Sequence, residues 1–417
     1  MQVALSLGAN LGNKIDTLNK AADNISALPK TWILRASSIY RSPPLLPANA
    51  PEGWYKLYDN AALTIETDLA PHDLLDQLKE IERKLGRKPS PAWAPRVIDI
   101  DIIAYGDIII DDNRLTLPHP LATERAFVLA PLSEISPNLR LSGKSVLAWK
   151  RELLEQLPAW MKIVNATPDS FSGDGLLNGQ ESSRVPENPQ ANFIDLGAES
   201  TRPKANFVHP AEEWSRLAPF IEMQNLNSTF RPKVSIDTRN PETAIRALRA
   251  GVDVINDVSG VANPEMLSAL VESNCDIVVM HNLGIPADPR TTLAEEDPIS
   301  SVLDFLSRKI DTLETAGIAK SRVIVDPGIG FGKTPAQSWR LLQNVEEFFQ
   351  LETRILYGHS RKSFLKTITT NEAEARDVHS LVVSNALSKK FVDVIRVHNI
   401  EIHQAAEEAQ WRLNQRF

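Results

Sequence analysis

The sequence contains a single cysteine, Cys275, among 417 residues. One thiol can form neither an intramolecular disulfide nor a metal cage built from several thiolates, which excludes both kinds of site. Long apolar runs are also missing, and no stretch approaches the roughly 20 residues that span a bilayer. The first residues carry no basic leader, and their apolar run is too short for a signal peptide. We therefore expect a soluble, cytoplasmic protein without a membrane partner.

An excess of positive charge is missing as well. The chain has 45 Lys and Arg against 53 Asp and Glu, which gives a formal net charge of -8. This balance argues against a nucleic-acid binder, because such proteins carry a basic footprint. Anionic small molecules remain possible partners if Arg and Lys cluster locally. The length predicts two domains.

Eight short apolar runs in the second half of the chain each end in polar residues. Continuous apolar runs are typical of strands that are buried on both faces, as in a parallel sheet. The runs lead into Asn165, Asp195, Asp237, Asn256–Asp257, His281, Asp326, Ser360–Lys362 and Arg396–His398. Helical patterns separate most of them, which predicts a TIM (β/α)8 barrel with its polar chemistry at the carboxyl ends of the strands. Such a constellation indicates an enzyme.

The first crossover of this barrel is unusual. Residues 176–192 contain Pro186 and Pro189 and show no apolar stripe. Because proline breaks helices, we predict that the first barrel helix is missing or reduced and that 173–192 form an irregular crossover.

The first half has a different rhythm. Strand-like segments alternate irregularly with helical patterns at about 14–28 and 71–85, which favours an α+β sandwich. An amphipathic helix is predicted at about 145–157 and ends before Pro158. The predicted boundaries are a first domain at 1–158, a linker at 159–161 and the barrel at 162–417.

A strand near residue 100 carries two carboxylates on one face. Side chains alternate along a strand, so Asp99 and Asp101 point the same way. Two such carboxylates can hold Mg²⁺ when nucleotide phosphates complete its shell, and Arg96 suits phosphate oxygens. The alternative is a strand with one solvated face. Further cationic and aromatic residues that could bind a triphosphate and a flat ring are Arg87, Trp93, His119, Arg125 and Phe127.

Several stretches of the first half together resemble the 6-hydroxymethyl-7,8-dihydropterin pyrophosphokinase family. They are Ser6–Asn10, Tyr40–Leu45, Tyr58–Ala62, Ile81–Glu82, Gly86–Arg87, Trp93–Asp101 and His119–Pro131. The resemblance covers about 1–158. It implies a ferredoxin-like α+β fold that uses ATP and two Mg²⁺ held by Asp99 and Asp101.

The same resemblance implies roles for single residues. The pterin would lie near Gly8, Ser42, Pro43, Leu45, Tyr58, Asn60 and Phe127. ATP would contact Glu82, Arg87, Trp93, Arg96, Ile98, His119 and Arg125. The catalytic residues would be Arg87, Arg96, Asp99 and Asp101. The loop 88–92 departs from the family pattern, since it is one residue shorter and carries Pro89 where an arginine is common.

Anion-binding groups recur at the ends of the barrel runs. They are Thr201–Arg202, Ser360–Lys362 and Arg396–His398, and the hydrogen-bonding side chains Asp237, Asn256 and Asp326 lie between them in the sequence. Groups from several strand ends that could converge are typical of a binding site. For Asp237 alone, a helix cap before Pro241 is a serious alternative, and His281 could be structural.

The ordered set of motifs over 162–417 looks like the dihydropteroate synthase family. They are Asn165–Ser172, Asp195–Pro203, Ser235–Thr238, Ile255–Gly260, Met280–His281, Asp326–Lys333, Ser360–Phe364 and Arg396–His398. The resemblance implies that Asp237, Asn256, Asp326 and Lys362 bind the pterin, with Met280 and Phe331 lining its pocket. Pyrophosphate and Mg²⁺ would be held by Asn165, Thr201, Arg202, Arg396 and His398. Ser360, Arg202 and Pro203 would meet p-aminobenzoate.

The implied reactions follow one another. The first half would make a pterin pyrophosphate, and the second would condense it with p-aminobenzoate, with Asp237, Lys362, Arg396 and His398 as catalytic residues. A homodimer through the barrel is possible. Two alternatives stay open: a pterin-binding barrel that serves methyl transfer to a corrinoid, and a binding or scaffold protein with an inactive first half.

Overall fold

The computed structural model describes residues 1–166, 191–199, 208–285, 288, 290–294, 297–369 and 372–414. The chain forms two compact units. The first comprises Met1–Leu157, Asn227–Arg231 and the chain from Glu407 onward, and the second comprises Pro158–Leu226 and Pro232–Ala406. Among the described helices, none is long and apolar enough to cross a membrane.

The first unit is built on an antiparallel sheet. Its elements are β1 Gln2–Ala9, α1 Lys14–Ser26, β2 Thr31–Ala36, β3 Tyr40–Ser42, β4 Tyr58–Thr67, α2 Pro71–Lys84, β5 Asp99–Tyr105, β6 Ile110–Asp111, β7 Thr116–Leu117, α3 Ala126–Ile135, β8 Arg140–Leu141, β9 Lys144–Ser145 and α4 Val146–Lys150. The strand order is β2-β4-β1-β5, and β3 also pairs with β4. With α1 and α2 as its crossovers, this order is ferredoxin-like, and the predicted α+β sandwich is confirmed.

Alternation along the strands covers both faces of this sheet. Leu5 and Leu7 of β1 pack in one cluster with the buried stripes of α1 and α2, which include Leu18 and Leu78. Ala4 faces the other way and packs with α3. The sheet is therefore buried between two helical layers.

The helix predicted at 145–157 is too long. The structure has helix only over Val146–Lys150, and the next turn tightens, since Leu153 N donates to Lys150 O at 3.3 Å. Leu154 is fully exposed. The leucine spacing suggested a buried stripe, but a stripe stabilises a helix only where a surface covers it.

The second unit is a closed parallel barrel. Its strands are β10 Ala159–Asn165, β11 Phe193–Gly197, β12 Lys233–Asp237, β13 Val254–Asp257, β14 Asp276–Met280, β15 Val323–Asp326, β16 Arg354–Tyr357 and β17 Val394–Val397. They follow one another in chain order around the barrel, and β17 closes on β10. The helices are α5 Pro210–Glu222, α6 Pro241–Ala250, α7 Pro264–Val271, α8 Ile299–Thr315, α9 Pro335–Gln343, α10 Asp377–Lys389 and α11 Ile400–Leu413, of which the residues from Glu407 onward are assigned to the first unit.

This arrangement confirms the predicted TIM barrel. The apolar runs are buried as expected: Val234, Ile236, Ile277 and Val325 are inaccessible to solvent. The predicted loss of the first barrel helix concerns 173–192, of which all but the last two residues lie outside the described chain.

A buried ion pair lies at the amino ends of the barrel strands. Arg354 begins β16 and donates from Nη1 to Asp276 Oδ2 of β14 at 2.9 Å. The two residues are only 2% and 5% exposed. A buried charge is costly unless it is paired, so each depends on the other.

Asp276→Asn should therefore destabilise the barrel by about 3 kcal/mol, because the buried Arg354 charge would lose its partner. Urea unfolding followed by circular dichroism measures the change. Glu242→Gln, which breaks the exposed Arg246–Glu242 pair, serves as the matched control and should shift stability by less than about 0.5 kcal/mol. Equal effects of the two variants would contradict the prediction.

Candidate active sites

A cavity of about 760 Å³ opens in the first unit. It lies where β1, β4 and β5 meet the end of α2 and the loop that follows. Many of the residues predicted to bind the pterin, ATP or Mg²⁺ line it together: Gly8, Ser42, Pro43, Leu45, Tyr58, Asn60, Glu82, Arg87, Trp93, Arg96, Asp99, Asp101, Arg125 and Phe127. The cavity thus combines aromatic surface, cations and carboxylates in one space.

The strand β5 presents its two carboxylates to this cavity. Asp99 and Asp101 both line it, whereas Ile98 and Ile100 on the opposite face are buried in the core with α1 and α2. Asp99 accepts from Arg96 Nη1 at 2.8 Å and also contacts Arg87 Nη1. The two carboxylates therefore differ, since Asp99 is neutralised by two arginines.

The pKa values of the pair reflect this difference. Burial alone would raise the pKa of Asp99, but Arg87 and Arg96 outweigh it and hold the pKa below its ordinary value. Burial and the neighbouring Asp99 carboxylate raise the pKa of Asp101. A divalent cation would offset this repulsion, so the two carboxylates fit a metal that also binds phosphate oxygens.

Glu82 of α2 also forms an ion pair with Arg87, one of the two arginines that contact Asp99. Its Oε1 lies 2.6 Å from Arg87 Nη1 and 2.8 Å from Lys79 Nζ. It also accepts from Ile100 N at 2.7 Å. Burial raises the pKa of Glu82, and the Lys79 ammonium opposes the rise. Glu82 therefore orients Arg87 between α2 and the carboxylates of β5.

Asn60 is held in one orientation at the other side of the cavity. Its Nδ2 donates to Tyr40 O at 3.1 Å and to Ser42 Oγ at 2.9 Å. Its Oδ1 faces Gly8, where an added Cβ would lie 3.3 Å away. A flat ligand with N–H donors can therefore approach the Asn60 carbonyl because residue 8 has no side chain.

Two predicted ATP contacts do not line the cavity. Ile98 is fully buried in the core. His119 lies close enough to Asp101 for the carboxylate to favour its charged form, although burial lowers its pKa. Lining residues absent from the prediction are Ser6, Lys79, Arg83 and the loop 88–92. The spacing of Lys79, Glu82 and Arg83 on one helical face was a signal that could have identified two of them.

At the carboxyl ends of the barrel strands, Arg396 bridges two carboxylates. Its Nε donates to Asp195 Oδ2 at 2.6 Å and its Nη2 to Asp237 Oδ2 at 2.7 Å. Asn256 Nδ2 donates to Asp195 Oδ2 at 3.2 Å. Burial raises the pKa of Asp237 to about 7, against the opposing effect of Arg396. The structure therefore brings together residues from β11, β12, β13 and β17.

Asp326 and Lys362 form a second group at this end. Burial raises the pKa of Asp326, and the Lys362 ammonium opposes the rise. Burial lowers the pKa of Lys362 to about 8. Lys362 Nζ donates to Ile329 O at 2.6 Å and lies 4.8 Å from the centre of the Phe331 ring. The lysine thus holds the turn that carries Phe331.

The turn that follows β15 and carries Phe331 has no space for a side chain at position 328. Gly328 has φ +70°, and a Cβ there would lie 1.9 Å from His281 O. Buried Met280 lies beside it, 3.3 Å from the same Cβ position. Lys333, which was not predicted as a site residue, donates to Phe331 O at 3.0 Å and lies 2.8 Å from His281 Nδ1. A structural role for His281, which the sequence left open as an alternative, is compatible with this packing.

Ser360 and His398 meet at the rim. His398 Nδ1 lies 3.0 Å from Ser360 Oγ, so the two side chains that were predicted at separate strand ends share one hydrogen bond.

The other predicted anion contacts of the barrel are Asn165, Thr201, Arg202 and Pro203. Asn165 is exposed at the end of β10. The predicted contacts Thr201, Arg202 and Pro203 lie outside the described residues. Asp195 and Ser235 were missed as site residues, although Asp195 ends one of the apolar runs and this position was the signal.

The described residues contain no group of three or more His, Cys, Asp or Glu that could hold a metal ion. Asp99 with Asp101, and Asn165 in the barrel, would each supply fewer protein ligands than that. Mg²⁺ commonly binds through one or two carboxylates plus phosphate oxygens and water. At both predicted positions, phosphate oxygens and water would have to complete the coordination of a cation.

Family models match both halves of the chain. The model described as 7,8-dihydro-6-hydroxymethylpterin-pyrophosphokinase matches residues 4–137. The model described as pterin binding enzyme matches residues 161–398. The two matches lie within the segments that form the sheet and the barrel, respectively.

Whole-chain relatives and solved structures agree with these matches. A protein of Chlamydia trachomatis named "Folate synthesis bifunctional protein" is 35% identical and covers 97% of this chain and 96% of its own length. A dihydropteroate synthase structure from Anaplasma phagocytophilum with bound 6-hydroxymethylpterin-monophosphate is 32% identical, with TM-score 0.53, and covers 61% of this chain and 98% of that one. One from Xanthomonas albilineans with 4-aminobenzoic acid is 31% identical, with TM-score 0.54, over 67% and 98%.

Because the surroundings of Asp99 and Asp101 on β5 differ, we expect that neutralising the two carboxylates changes the free energy of unfolding in opposite directions. Asp99→Asn should lower stability by roughly 1–2 kcal/mol, because charge-assisted hydrogen bonds to two arginines are lost. Asp101→Asn should raise stability, because it removes a repelled, buried charge. Differential scanning calorimetry without divalent cations at pH 8 measures both. A loss of stability in both variants would show that Asp101 is also paired.

Proposed function

The chain belongs to the family of bifunctional folate synthesis proteins, and we propose that its first unit transfers diphosphate from ATP to 6-hydroxymethyl-7,8-dihydropterin. The second unit then condenses the pterin diphosphate with p-aminobenzoate to give 7,8-dihydropteroate and pyrophosphate. The observation that carries this proposal is the pair of clusters within one chain: each joins arginine or lysine to carboxylates beside groups that suit a flat heterocycle. Family membership argues against the corrinoid and scaffold alternatives.

In the first unit, the proposed division of labour follows the cavity walls. The pterin binds between Tyr58 and Phe127, and its ring N–H groups meet the Asn60 carbonyl. The triphosphate lies against Arg87 and Arg96, since guanidinium groups match phosphate oxygens. The other predicted contacts of the pterin and of ATP that line the cavity act around these groups.

Asp99 and Asp101 would hold Mg²⁺ in this unit. Bound magnesium would neutralise negative charge on the transferring phosphate groups. Arg87 and Arg96 already contact Asp99, so the nucleotide and its metal must compete with an existing ion pair. The arginines exchange a carboxylate for phosphate oxygens and remain charge-paired throughout.

In the barrel, Asp237, Asn256, Asp326 and Lys362 are proposed to bind the pterin. Arg396 and His398 face the leaving diphosphate, with Asn165, Thr201 and Arg202 completing that site. As the bond from the pterin methylene to oxygen breaks, charge moves onto the diphosphate and Arg396 stabilises it. In their charged forms, the carboxylates of Asp237 and Asp326 favour the positive charge left on the pterin. The aromatic amine, held near Ser360, Arg202 and Pro203, then attacks the methylene carbon, and its nitrogen releases a proton to solvent as the carbon–nitrogen bond forms.

Two further proposals concern the whole protein. The buried, single Cys275 is compatible with a cytoplasmic location, where disulfides are rare. A homodimer through the barrel is supported by Val378 and Val382, which are 66% and 65% exposed one turn apart on α10.

A coupled assay tests the proposed function. The chain supplied with ATP, Mg²⁺, 6-hydroxymethyl-7,8-dihydropterin and p-aminobenzoate should form dihydropteroate with release of AMP and pyrophosphate. Chelation of Mg²⁺ with EDTA should stop AMP formation, because the repelled carboxylates and the triphosphate depend on the cation. If preformed pterin diphosphate is consumed but ATP is not, the first unit lacks the proposed activity.

The two steps should separate by mutation. Asp101→Ala should reduce AMP formation by roughly two orders of magnitude and leave condensation of preformed pterin diphosphate intact. Arg396→Ala should do the reverse. Liquid chromatography of AMP and dihydropteroate measures both, with Asp111→Ala at an exposed position and Arg246→Ala at a half-buried position as control variants outside the two sites. Loss of both activities in either active-site variant would indicate misfolding and not the proposed division.

A further inference from the structure

Asp195 is a fully buried carboxylate inside the barrel to which the proposed mechanism gives no part. It is the third of the five residues of β11 and lies between the buried residues Ile194 and Leu196. Its Oδ1 accepts from Ser235 Oγ at 2.6 Å. Its Oδ2 accepts from Asn256 Nδ2 at 3.2 Å and from Arg396 Nε at 2.6 Å. The carboxylate therefore has hydrogen-bond partners on three other strands.

Two of these partners are proposed substrate contacts with different targets. Asn256 meets the pterin ring, whereas Arg396 meets the diphosphate. Donation from Asn256 Nδ2 to Asp195 fixes the side on which the amide presents its carbonyl oxygen. Donation from Arg396 Nε, together with Nη2 to Asp237, fixes the plane of the guanidinium. One carboxylate thus orients both contacts.

Asp195 could be a purely structural residue, since a buried carboxylate that is well paired stabilises the fold without any part in substrate binding. Asp276 at the amino ends of the barrel strands is such a case, because its partner Arg354 donates to Asp276 and to Ser321 O, neither of which is a proposed site residue. Asp195 differs in that its cationic partner is itself a proposed ligand of the substrate. Its side chain contacts Asn256 and Arg396 near the carboxyl ends of β13 and β17, and the carboxyl ends of barrel strands carry function whereas the amino ends carry stability.

We propose that Asp195 is a positioning residue that couples recognition of the pterin ring through Asn256 to recognition of the diphosphate through Arg396. It contacts no substrate itself. The inference rests on the proposed function of the barrel. Ser235 supports it from the other carboxylate oxygen and keeps that carboxylate from rotating.

The key variant is Asp195→Asn, which keeps the shape of the side chain and removes its charge. Arg396 would then be paired by Asp237 alone and would lose its fixed plane. We expect KM for the pterin diphosphate to rise roughly ten- to hundredfold, as for loss of a charge-assisted hydrogen bond. KM for p-aminobenzoate should change less than about twofold, because Ser360 is not bonded to Asp195.

Steady-state kinetics with preformed pterin diphosphate measures this split. Calorimetric binding of 6-hydroxymethylpterin, which has no phosphate, tests the Asn256 branch separately and should also weaken. Asp276→Asn is the matched control: it removes the charge from another buried Asp–Arg pair and should lower stability without changing either KM. AMP formation by the first unit should stay normal in both variants.

A double-mutant cycle tests the coupling itself. Arg396→Ala should weaken the affinity of the barrel for the diphosphate group. If Asp195 acts on that group through Arg396, adding Asp195→Asn to Arg396→Ala should weaken this affinity little further. Additive losses would overturn the proposal, and so would an unchanged KM for the pterin diphosphate in Asp195→Asn. If that variant does not fold, Ser235→Ala replaces it and should raise the same KM about two- to fivefold. An unchanged KM in Ser235→Ala would then overturn the proposal.

The outcomes separate this inference from the proposed function. A wild-type chain that forms no dihydropteroate from pterin diphosphate and p-aminobenzoate would refute the function assigned to the barrel. An active wild-type chain whose Asp195→Asn variant keeps both KM values would refute only the role of Asp195.

Discussion

The pairing of buried charges is the constraint on which both sites depend. A carboxylate or guanidinium removed from water costs several kcal/mol unless a partner of opposite charge and further hydrogen bonds compensate it. In the barrel, Arg396 is compensated by Asp195 and Asp237. In the first unit, Arg87 is compensated by Glu82 and Asp99. Each arginine is thereby held where a phosphate group can replace or join its carboxylate.

The two units achieve this with different backbones. The antiparallel sheet of the first unit uses alternation along β5, so that Asp99 and Asp101 face the cavity while Ile98 and Ile100 complete the core. The parallel barrel uses strand direction instead. All its carboxyl ends meet at one rim, and single residues such as Asp237 and Asn256 become neighbours because their strands pair in register. In the barrel, each strand therefore needs to contribute only one polar residue near its carboxyl end for the site to form.

Glycine and lysine shape the rim of the barrel. The close approach of Gly328 to the His281 carbonyl brings the turn after β15 against β14. Lys362 and Lys333 then bind the carbonyl groups of Ile329 and Phe331. Burial lowers the pKa of their ammonium groups, to about 8 for Lys362 and to about 7 for Lys333, and the Asp326 carboxylate opposes both shifts. A bound anionic substrate would favour the charged forms of these two lysines.

The sequence by itself determined the fold class of both units, because periodicity and strand-end polarity are local patterns that burial converts directly into a sandwich and a barrel. It also pointed to most of the residues around the two clusters. Only the tertiary structure decided which side chains pair: the bridge from Asp195 to Asn256 and Arg396 joins positions up to 201 residues apart. It likewise decided that helix α4 ends at Lys150, since a leucine stripe is helical only where another surface covers it.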